Sequence, residues 1–136
     1  VVVRDNVAHI AHAGDSRAYL VNKDGVEQIT VDHSLVQNLV DRGEITKEEA
    51  EHHPNKNVIT RALGVDKRID IDFSEIDMQE NETLVLCTDG LSNCVNNSEM
   101  AEDIKDGQYY AFADRLVKRA NKNGGNDNIT VVAIAI

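Results

Sequence analysis

The chain has 136 residues, of which 41% are apolar, so it is long enough for one domain with a modest core. It carries 14 basic and 24 acidic residues, which gives a formal net charge of −10. Because an acidic chain repels nucleic acid and anionic lipid, we expect neither as a partner. No window approaches twenty apolar residues, and the first residues lack the parts of a signal peptide.

The first part of the chain predicts a series of strands. Residues 7–14 (VAHIAHAG) and 16–21 (SRAYLV) are apolar runs of strand length, and residues 26–30 (VEQIT) predict a third strand. Asp24 and Gly25 form a hairpin signal before this third strand, because glycine supplies the positive φ that a two-residue turn needs.

A helical excursion follows the third strand. Apolar residues recur at helical spacing over residues 35–40, and Gly43 is placed to end that helix. Thr46 with Glu49 has the pattern of a capping box, which begins a second, short helix. This helix must end before Pro54.

The remaining strands are predicted from residue 68 onwards. Residues 57–64 (NVITRALG) fit neither periodicity, whereas residues 68–76 (RIDIDFSEI) alternate like a half-exposed strand. Residues 83–88 (TLVLCT) have the pattern of a buried strand, and residues 128–136 (NITVVAIAI) predict the last one. The whole pattern indicates one mixed α/β (α+β) unit, with a mostly antiparallel sheet covered by helices.

Two helices are predicted between the last two strands. Asn97 or Ser98 is placed to cap a short helix through Ile104. A longer helix then ends in the sequence NKNGG. Its apolar stripe consists of Tyr109, Phe112, Ala113, Leu116, Val117 and Ala120.

Three aspartates share one kind of setting, each with a glycine nearby and an apolar strand on at least one side. Asp15 lies in AHAGDSRAYL, Asp89 in LVLCTDGLSN and Asp127 in GGNDNITVV. If their strands are neighbours, the carboxylates meet at one sheet end and repel each other unless a cation intervenes. Oxygen ligands without adjacent His or Cys suit Mg²⁺ or Mn²⁺. The alternative is that all three are ordinary turn residues.

Five motifs in order resemble those of one enzyme family. They are GDSR, DHS, HPNKNVITRALG, CTDGLSN and GGNDNITVV. This order is similar to that of the metal-dependent (Mg²⁺/Mn²⁺) protein serine/threonine phosphatases of type 2C (PPM), in their bacterial branch. The resemblance implies part of a four-layer α-β-β-α sandwich with mostly antiparallel sheets.

The resemblance also implies roles for individual residues. Asp89 and Asp127 would bind two Mg²⁺ or Mn²⁺ ions, and Asp15 would hold a weaker third one. Asn128 and Asp32 would support this centre by hydrogen bonds, Asn128 together with Asn126 bracing the Asp127 loop through their side chains. Residues from about 35 to 59 would form a flap that affects substrate choice.

The implied reaction is hydrolysis of phosphoserine or phosphothreonine in proteins, without a phosphoenzyme. Two ions would share a water, lower its pKa and direct it at the phosphorus. The expected partners are phosphoproteins, in particular those of a bacterial serine/threonine kinase. The alternative is a non-catalytic phosphatase-fold module that binds or regulates a phosphoprotein.

The resemblance also predicts that the chain, residues 1–136, is a C-terminal portion of a catalytic domain. It begins at Val1 without an initiator methionine and enters strand-like sequence at once. Family members carry further metal ligands, a phosphate-binding arginine and a histidine proposed as general acid before this point. We therefore expect the chain alone to be inactive, and to self-associate through exposed sheet edges.

The other polar residues have simpler interpretations. His9 and His12 lie three apart on a strand and should face opposite sides. His33 is expected to support the flap region, and Arg17 to anchor a nearby carboxylate. Neither a disulfide nor a zinc site is indicated by Cys87 and Cys94, which we interpret as reduced thiols of a cytoplasmic protein.

Overall fold

The computed structural model describes residues 1–105 and 109–136. Strands dominate the first half of the chain and helices the second, with a strand of five residues at the end. The elements are β1 (Val2–Arg4), β2 (Val7–His12), β3 (Arg17–Asn22), β4 (Gly25–Gln28), α1 (Leu35–Asp41), α2 (Lys47–Glu51), β5 (Asp72–Asp77), β6 (Thr83–Cys87), α3 (Asp89–Ser92), α4 (Asn97–Lys105), a 3₁₀ turn (Tyr109–Ala111), α5 (Phe112–Lys122) and β7 (Val131–Ala135).

The strands form two antiparallel sheets that pack face to face. One sheet has the order β1-β2-β5 and the other has the order β4-β3-β6-β7. Ala8 and Ile10 of the first sheet share a buried cluster with Ala18 and Leu84 of the second, and Met78 completes it. This cluster packs between the two sheets. The strands that the sequence predicted as one mostly antiparallel sheet therefore form a sandwich of two sheets.

Helices cover the outer face of the four-stranded sheet. Helix α4 packs on β3 and β4, and α5 packs on β7. Phe112, Leu116 and Ala120, spaced by one helical turn each, are fully buried there. Burial of a Phe or Leu side chain stabilises a fold by about 1.5–3 kcal/mol, so this stripe holds the layer in place. None of the helices within the described ranges is long and apolar enough to cross a membrane.

The outer face of the three-stranded sheet is exposed in the described residues. Val2 is 65% exposed and Phe73 is 78% exposed, and both point away from the inner cluster. The described chain therefore shows three layers, and the fourth layer of an α-β-β-α sandwich stays a prediction.

The capping box and the Gly43 stop predicted for the helical excursion are confirmed, and Ser34 forms a further cap that was not predicted. Ser34 Oγ accepts a hydrogen bond from the Gln37 amide at the start of α1. Thr46 and Glu49 form the predicted capping box, with bonds of 3.1 and 2.7 Å. Gly43, with φ of +72°, ends α1 as expected.

Some predicted element boundaries are wrong. The turn of the β3–β4 hairpin consists of Lys23 and Asp24, one residue earlier than predicted, because Asn22 Oδ1 accepts from the Asp24 and Gly25 amides. Strand β5 begins at Asp72 and not at residue 68, since the pairing with β2 starts at Asp72 and residues 68–71 form no regular element.

Two predicted helix starts are also wrong, each for a local reason. Asn96 caps α4, in place of Asn97 or Ser98, because its side chain and that of Glu99 exchange hydrogen bonds with each other's backbone amides. Helix α5 begins at Phe112, and Tyr109 belongs to the preceding 3₁₀ turn. The short elements β1 and α3 were not predicted.

Candidate functional site

The strand register brings all three predicted aspartates to one end of the four-stranded sheet. Arg17 begins β3, Cys87 ends β6 and Val131 begins β7, and these three residues are paired across the sheet. Asp15 precedes Arg17 by two residues, and Asp89 follows Cys87 by two. Asp127 lies four residues before Val131, so all three aspartates lie at the same end of the sheet.

Thr88 fixes the loop of Asp127 against the start of α3. Its hydroxyl donates to the Asn128 carbonyl at 3.0 Å and accepts from the Thr130 amide at 3.0 Å. Gly90 allows the close approach, because a Cβ at this position would lie 2.3 Å from the Asn128 carbonyl oxygen. The segments that carry Asp89 and Asp127 are therefore locked together.

Asp15 and Asp89 influence each other electrostatically. Burial raises the pKa of Asp15, and the neighbouring Asp89 carboxylate raises it further. Asp127 is exposed, and its Oδ1 accepts a 2.7 Å hydrogen bond from the Asn128 amide. Asn128 thus supports this loop through its backbone amide, and the side-chain bracing expected of Asn126 and Asn128 stays a prediction.

A cleft of about 950 Å³ opens beside these carboxylates. Asp15 and Asp89 line it on one side, and the α1–α2 region lines it on the other through side chains such as Gln37 and Lys56. Asn93 Nδ2 donates to Asn57 Oδ1 at 3.4 Å, which connects that region with the end of α3. The cleft gives a ligand access to the two carboxylates.

Arg17 anchors a carboxylate, as predicted. Its Nε and Nη2 donate to the two oxygens of Asp32 at 2.9 and 2.7 Å, and its Nη1 donates to the Tyr19 hydroxyl at 3.0 Å. Burial alone would lower the pKa of Arg17, but the charge-assisted bonds to Asp32 outweigh this and raise it. Asp32 therefore fixes Arg17 beside the Asp15 turn.

His33 and His12 lie beneath the same turn. The DHS motif predicts that His33 lies near the flap. For His12 the sequence predicted only that it faces the side of β2 opposite to His9, and its contact with His33 was not predicted. His9 faces the other side of the sheet and pairs with Glu75, which confirms the predicted opposition.

Cys87 is a core residue and not a reactive thiol. It is 5% exposed, and burial raises the pKa of its thiol to about 11. Both cysteines are free.

The donor set fits a hard cation in its chemistry and its placement. The three carboxylates are oxygen ligands, which Mg²⁺ and Mn²⁺ prefer. In residues 1–105 and 109–136, however, no group of three or more His, Cys, Asp or Glu side chains is close enough to hold an ion. The metal role of the three aspartates therefore stays a prediction.

The family model of Protein phosphatase 2C matches residues 1–42. The serine/threonine phosphatase stp of Listeria innocua is 46% identical over 126 residues, covering 92% of this chain and 50% of the relative. The structure of the S. agalactiae serine/threonine phosphatase has a TM-score of 0.94 at 35% identity, over 98% of this chain and 56% of that one. The catalytic domain of serine threonine protein phosphatase PstP in complex with two manganese ions has a TM-score of 0.80 at 33% identity, over 97% and 54%.

These matches, the two antiparallel sheets and the five motifs define a fold of the PP2C (PPM) phosphatase class. The chain belongs with the bacterial PP2C-type serine/threonine phosphatases. It spans about half the length of the curated relatives that it matches.

Proposed function

We propose that this chain is the C-terminal portion of a catalytic domain that hydrolyses phosphoserine and phosphothreonine in proteins with the help of Mg²⁺ or Mn²⁺. The observation that carries the proposal is the convergence of Asp15, Asp89 and Asp127 on one sheet end beside an open cleft. The likeness to a catalytic domain that binds two manganese ions supports it.

Each aspartate has a separate role in this proposal. Asp89 and Asp127 hold the two main ions, and Asp15 holds a weaker third one. The ions, when bound, supply an activated water and positive charge for the phosphoryl oxygens. Thr88 fixes the distance between the two loops, while Asp32 holds the Arg17 side chain in place beside the Asp15 turn.

The substrate in this proposal is a phosphoprotein segment that lies in the cleft between the flap, residues 35–59, and helix α3. Lys56 is half-buried at the cleft and supplies a cation in a chain whose formal net charge is −10. We expect substrates made by a serine/threonine kinase of the same bacterial cytoplasm, a compartment consistent with two free cysteines.

The test is hydrolysis of a phosphothreonine peptide by the full-length protein as Mn²⁺ is titrated. Asp89→Asn and Asp127→Asn should abolish activity and leave the circular dichroism spectrum unchanged. Asp15→Asn should lower turnover and raise the Mn²⁺ requirement without removing the two tightly bound ions. Asp24→Asn, at an exposed turn aspartate, is the matched control and should behave as wild type.

Near-normal activity of Asp89→Asn or Asp127→Asn would refute the assignment of these ligands. The alternative is a non-catalytic phosphatase-fold module that binds or regulates a phosphoprotein. It predicts that wild-type protein binds the phosphopeptide and does not hydrolyse it at any Mn²⁺ concentration.

A further inference from the structure

The turn that carries Asp15 is held from both sides by histidine side chains. The Gly14 amide donates to His33 Nδ1 at 3.0 Å, and the Ser16 carbonyl oxygen lies 2.7 Å from His12 Nε2. Asp15 lies between these two attachment points. The two rings stack with centroids 4.8 Å apart and planes inclined by 28°, so they form one unit, which we call the histidine clamp (His12 and His33).

The hydrogen bonds determine where each ring carries its proton. Because the Gly14 amide is a donor, His33 Nδ1 must be an acceptor. The ring proton is then on Nε2, which donates to Asp72 Oδ2 at 2.9 Å, and Arg61 Nη1 lies 3.0 Å from the same nitrogen. The Ser16 carbonyl can only accept, so His12 donates from Nε2. Burial lowers the pKa of His12, which favours this neutral ring.

His33 also connects the turn with the segment that follows the flap. Its own amide donates to the Gly14 carbonyl at 2.8 Å, and its carbonyl accepts from the Thr60 amide at 2.8 Å. Asp72, the acceptor of His33 Nε2–H, accepts a second bond of 2.8 Å from Arg61 Nη1. A movement of His33 would therefore be transmitted to the Asp15 turn and to the segment around residues 60–61.

We propose that His12 and His33 are positioning residues that direct the Asp15 carboxylate into the cleft. This inference rests on the proposed function to the extent that Asp15 holds a cation. The need for a clamp follows from charge, since Asp15 and Asp89 repel each other when no cation lies between them. The turn itself contains Gly14 at φ +120°, and hydrogen bonds to Gly14 and Ser16, the residues on either side of Asp15, restrict its movement.

The test substitutes each histidine by Asn or by Gln, because the side-chain amide of each can take the place of only one ring nitrogen. The oxygen of an asparagine side chain reaches the place of Nδ1, and the nitrogen of a glutamine side chain reaches that of Nε2. His33→Asn can keep the bond from Gly14, whereas His33→Gln loses it. At the other ring the order is reversed, because His12→Gln can still donate to Ser16 and His12→Asn cannot.

We expect His33→Gln and His12→Asn in the full-length protein to raise the Mn²⁺ concentration for half-maximal hydrolysis about tenfold, a size typical of lost support behind a ligand. Their partners, His33→Asn and His12→Gln, should stay close to wild type. Calorimetric Mn²⁺ titration should show weaker Mn²⁺ binding in His33→Gln and His12→Asn than in their partners. In metal-free protein, the Gly14 amide should exchange its hydrogen faster in His33→Gln than in His33→Asn.

Equal Mn²⁺ requirements within each pair, or equal exchange at Gly14 in the two His33 variants, would overturn the proposal. A lower melting temperature without either change would also overturn it, because it would show a purely structural role. Failure of the proposed function is a distinct result, seen as wild-type protein without metal-dependent hydrolysis. The exchange comparison needs no metal and decides the clamp in that case as well.

Discussion

Single residues at the sheet end determine how closely the two main ligand loops approach each other. Thr88 and Gly90 flank Asp89 and both contact the backbone of Asn128. Thr88 contributes a hydroxyl that bonds in two directions, and Gly90 contributes the absence of a side chain. The separation of Asp89 and Asp127 is therefore set by their neighbours and not by the aspartates themselves.

Gly90→Ala should destabilise the protein and weaken its use of metal. Alanine favours a helix over glycine by about 1 kcal/mol, but the added Cβ would lie 2.3 Å from one backbone atom of Asn128 and 2.9 Å from another. Backbone must move to relieve this overlap, at a cost of about 1–3 kcal/mol. We expect a lower melting temperature and a higher Mn²⁺ requirement, measured by calorimetry and by phosphopeptide hydrolysis.

Ser92→Ala on the same helix is the control for Gly90→Ala. Ser92 makes a 3.4 Å contact with the Asp89 carbonyl, so its loss should change the melting temperature little. Because Ser92 lines the cleft, this control applies to stability. A Gly90→Ala protein as stable as this control, with the Mn²⁺ requirement of wild type, would contradict the close approach seen at Asn128.

Among the elements, the α1–α2 region forms one wall of the cleft and has little core of its own. Val36 is the buried residue of α1, and α2 has none. The region is held instead by caps and by bonds such as Leu35 N to Val58 O at 2.9 Å. Such a peripheral unit can vary in surface chemistry without loss of the sandwich.

Lys56→Glu should affect protein substrates more than small ones. Lys56 lines the cleft, and a phosphopeptide brings several negative charges near it, whereas p-nitrophenyl phosphate occupies only the metal end. We expect a KM for the phosphopeptide raised about tenfold and a KM for the small ester little changed. Lys67→Glu makes the same charge change at an exposed lysine outside the cleft.

Equal losses for both substrates, or the same result with Lys67→Glu, would show that the α1–α2 region is only scaffold.

Helix α4 gives a pH-dependent contribution to stability. The Glu99 carboxylate accepts from the Asn96 amide and from Asn123 Nδ2, and these bonds lower its pKa. A carboxylate with a lowered pKa in the folded state stabilises the protein at neutral pH, and this contribution is lost as the pH falls through that pKa. Glu99→Gln should therefore lower the melting temperature at about pH 7 and much less at about pH 3.

The measurement is calorimetry of both proteins at the two pH values, with Glu80→Gln as the control at an exposed glutamate. A difference in melting temperature that stays constant between the two pH values would show that the Glu99 charge contributes nothing.

At the scale of the whole molecule, the described chain offers a sandwich with open surfaces. The sheets end at β1 and β5 and at β4 and β7, and Phe73 and Val2 expose apolar area on the uncovered face. Unpaired strand edges and exposed apolar faces favour association. The three aspartates do not by themselves form a complete ligand group in the described residues.

We therefore expect the 136-residue chain alone to bind Mn²⁺ weakly, to lack measurable phosphatase activity and to form dimers or larger species. Calorimetric Mn²⁺ titration, a phosphopeptide assay and sedimentation analysis test the three parts of this prediction. A longer polypeptide that contains the chain should recover metal affinity and turnover. Tight binding of two ions by the chain alone, or efficient hydrolysis, would contradict the prediction.

Local sequence patterns predicted most of the elements and singled out the three aspartates. Their signals are local: apolar periodicity for β2, β3, β6 and α1, the Thr46–Glu49 capping box, and aspartates next to glycine at the ends of apolar runs. Boundaries failed where a neighbouring side chain competes for the backbone. Asn22 moved a turn by one residue and Asn96 replaced the predicted cap.

The surroundings of the aspartates depend on contacts between distant parts of the chain. The β3–β6–β7 register brings Asp15, Asp89 and Asp127 to one end of the sheet, although they lie far apart along the chain. The stacked pair of His12 and His33 joins residues 21 positions apart, and no periodicity encodes such a contact. Local patterns report the conformation of a segment, whereas the surroundings of a side chain depend on strand pairing between distant segments.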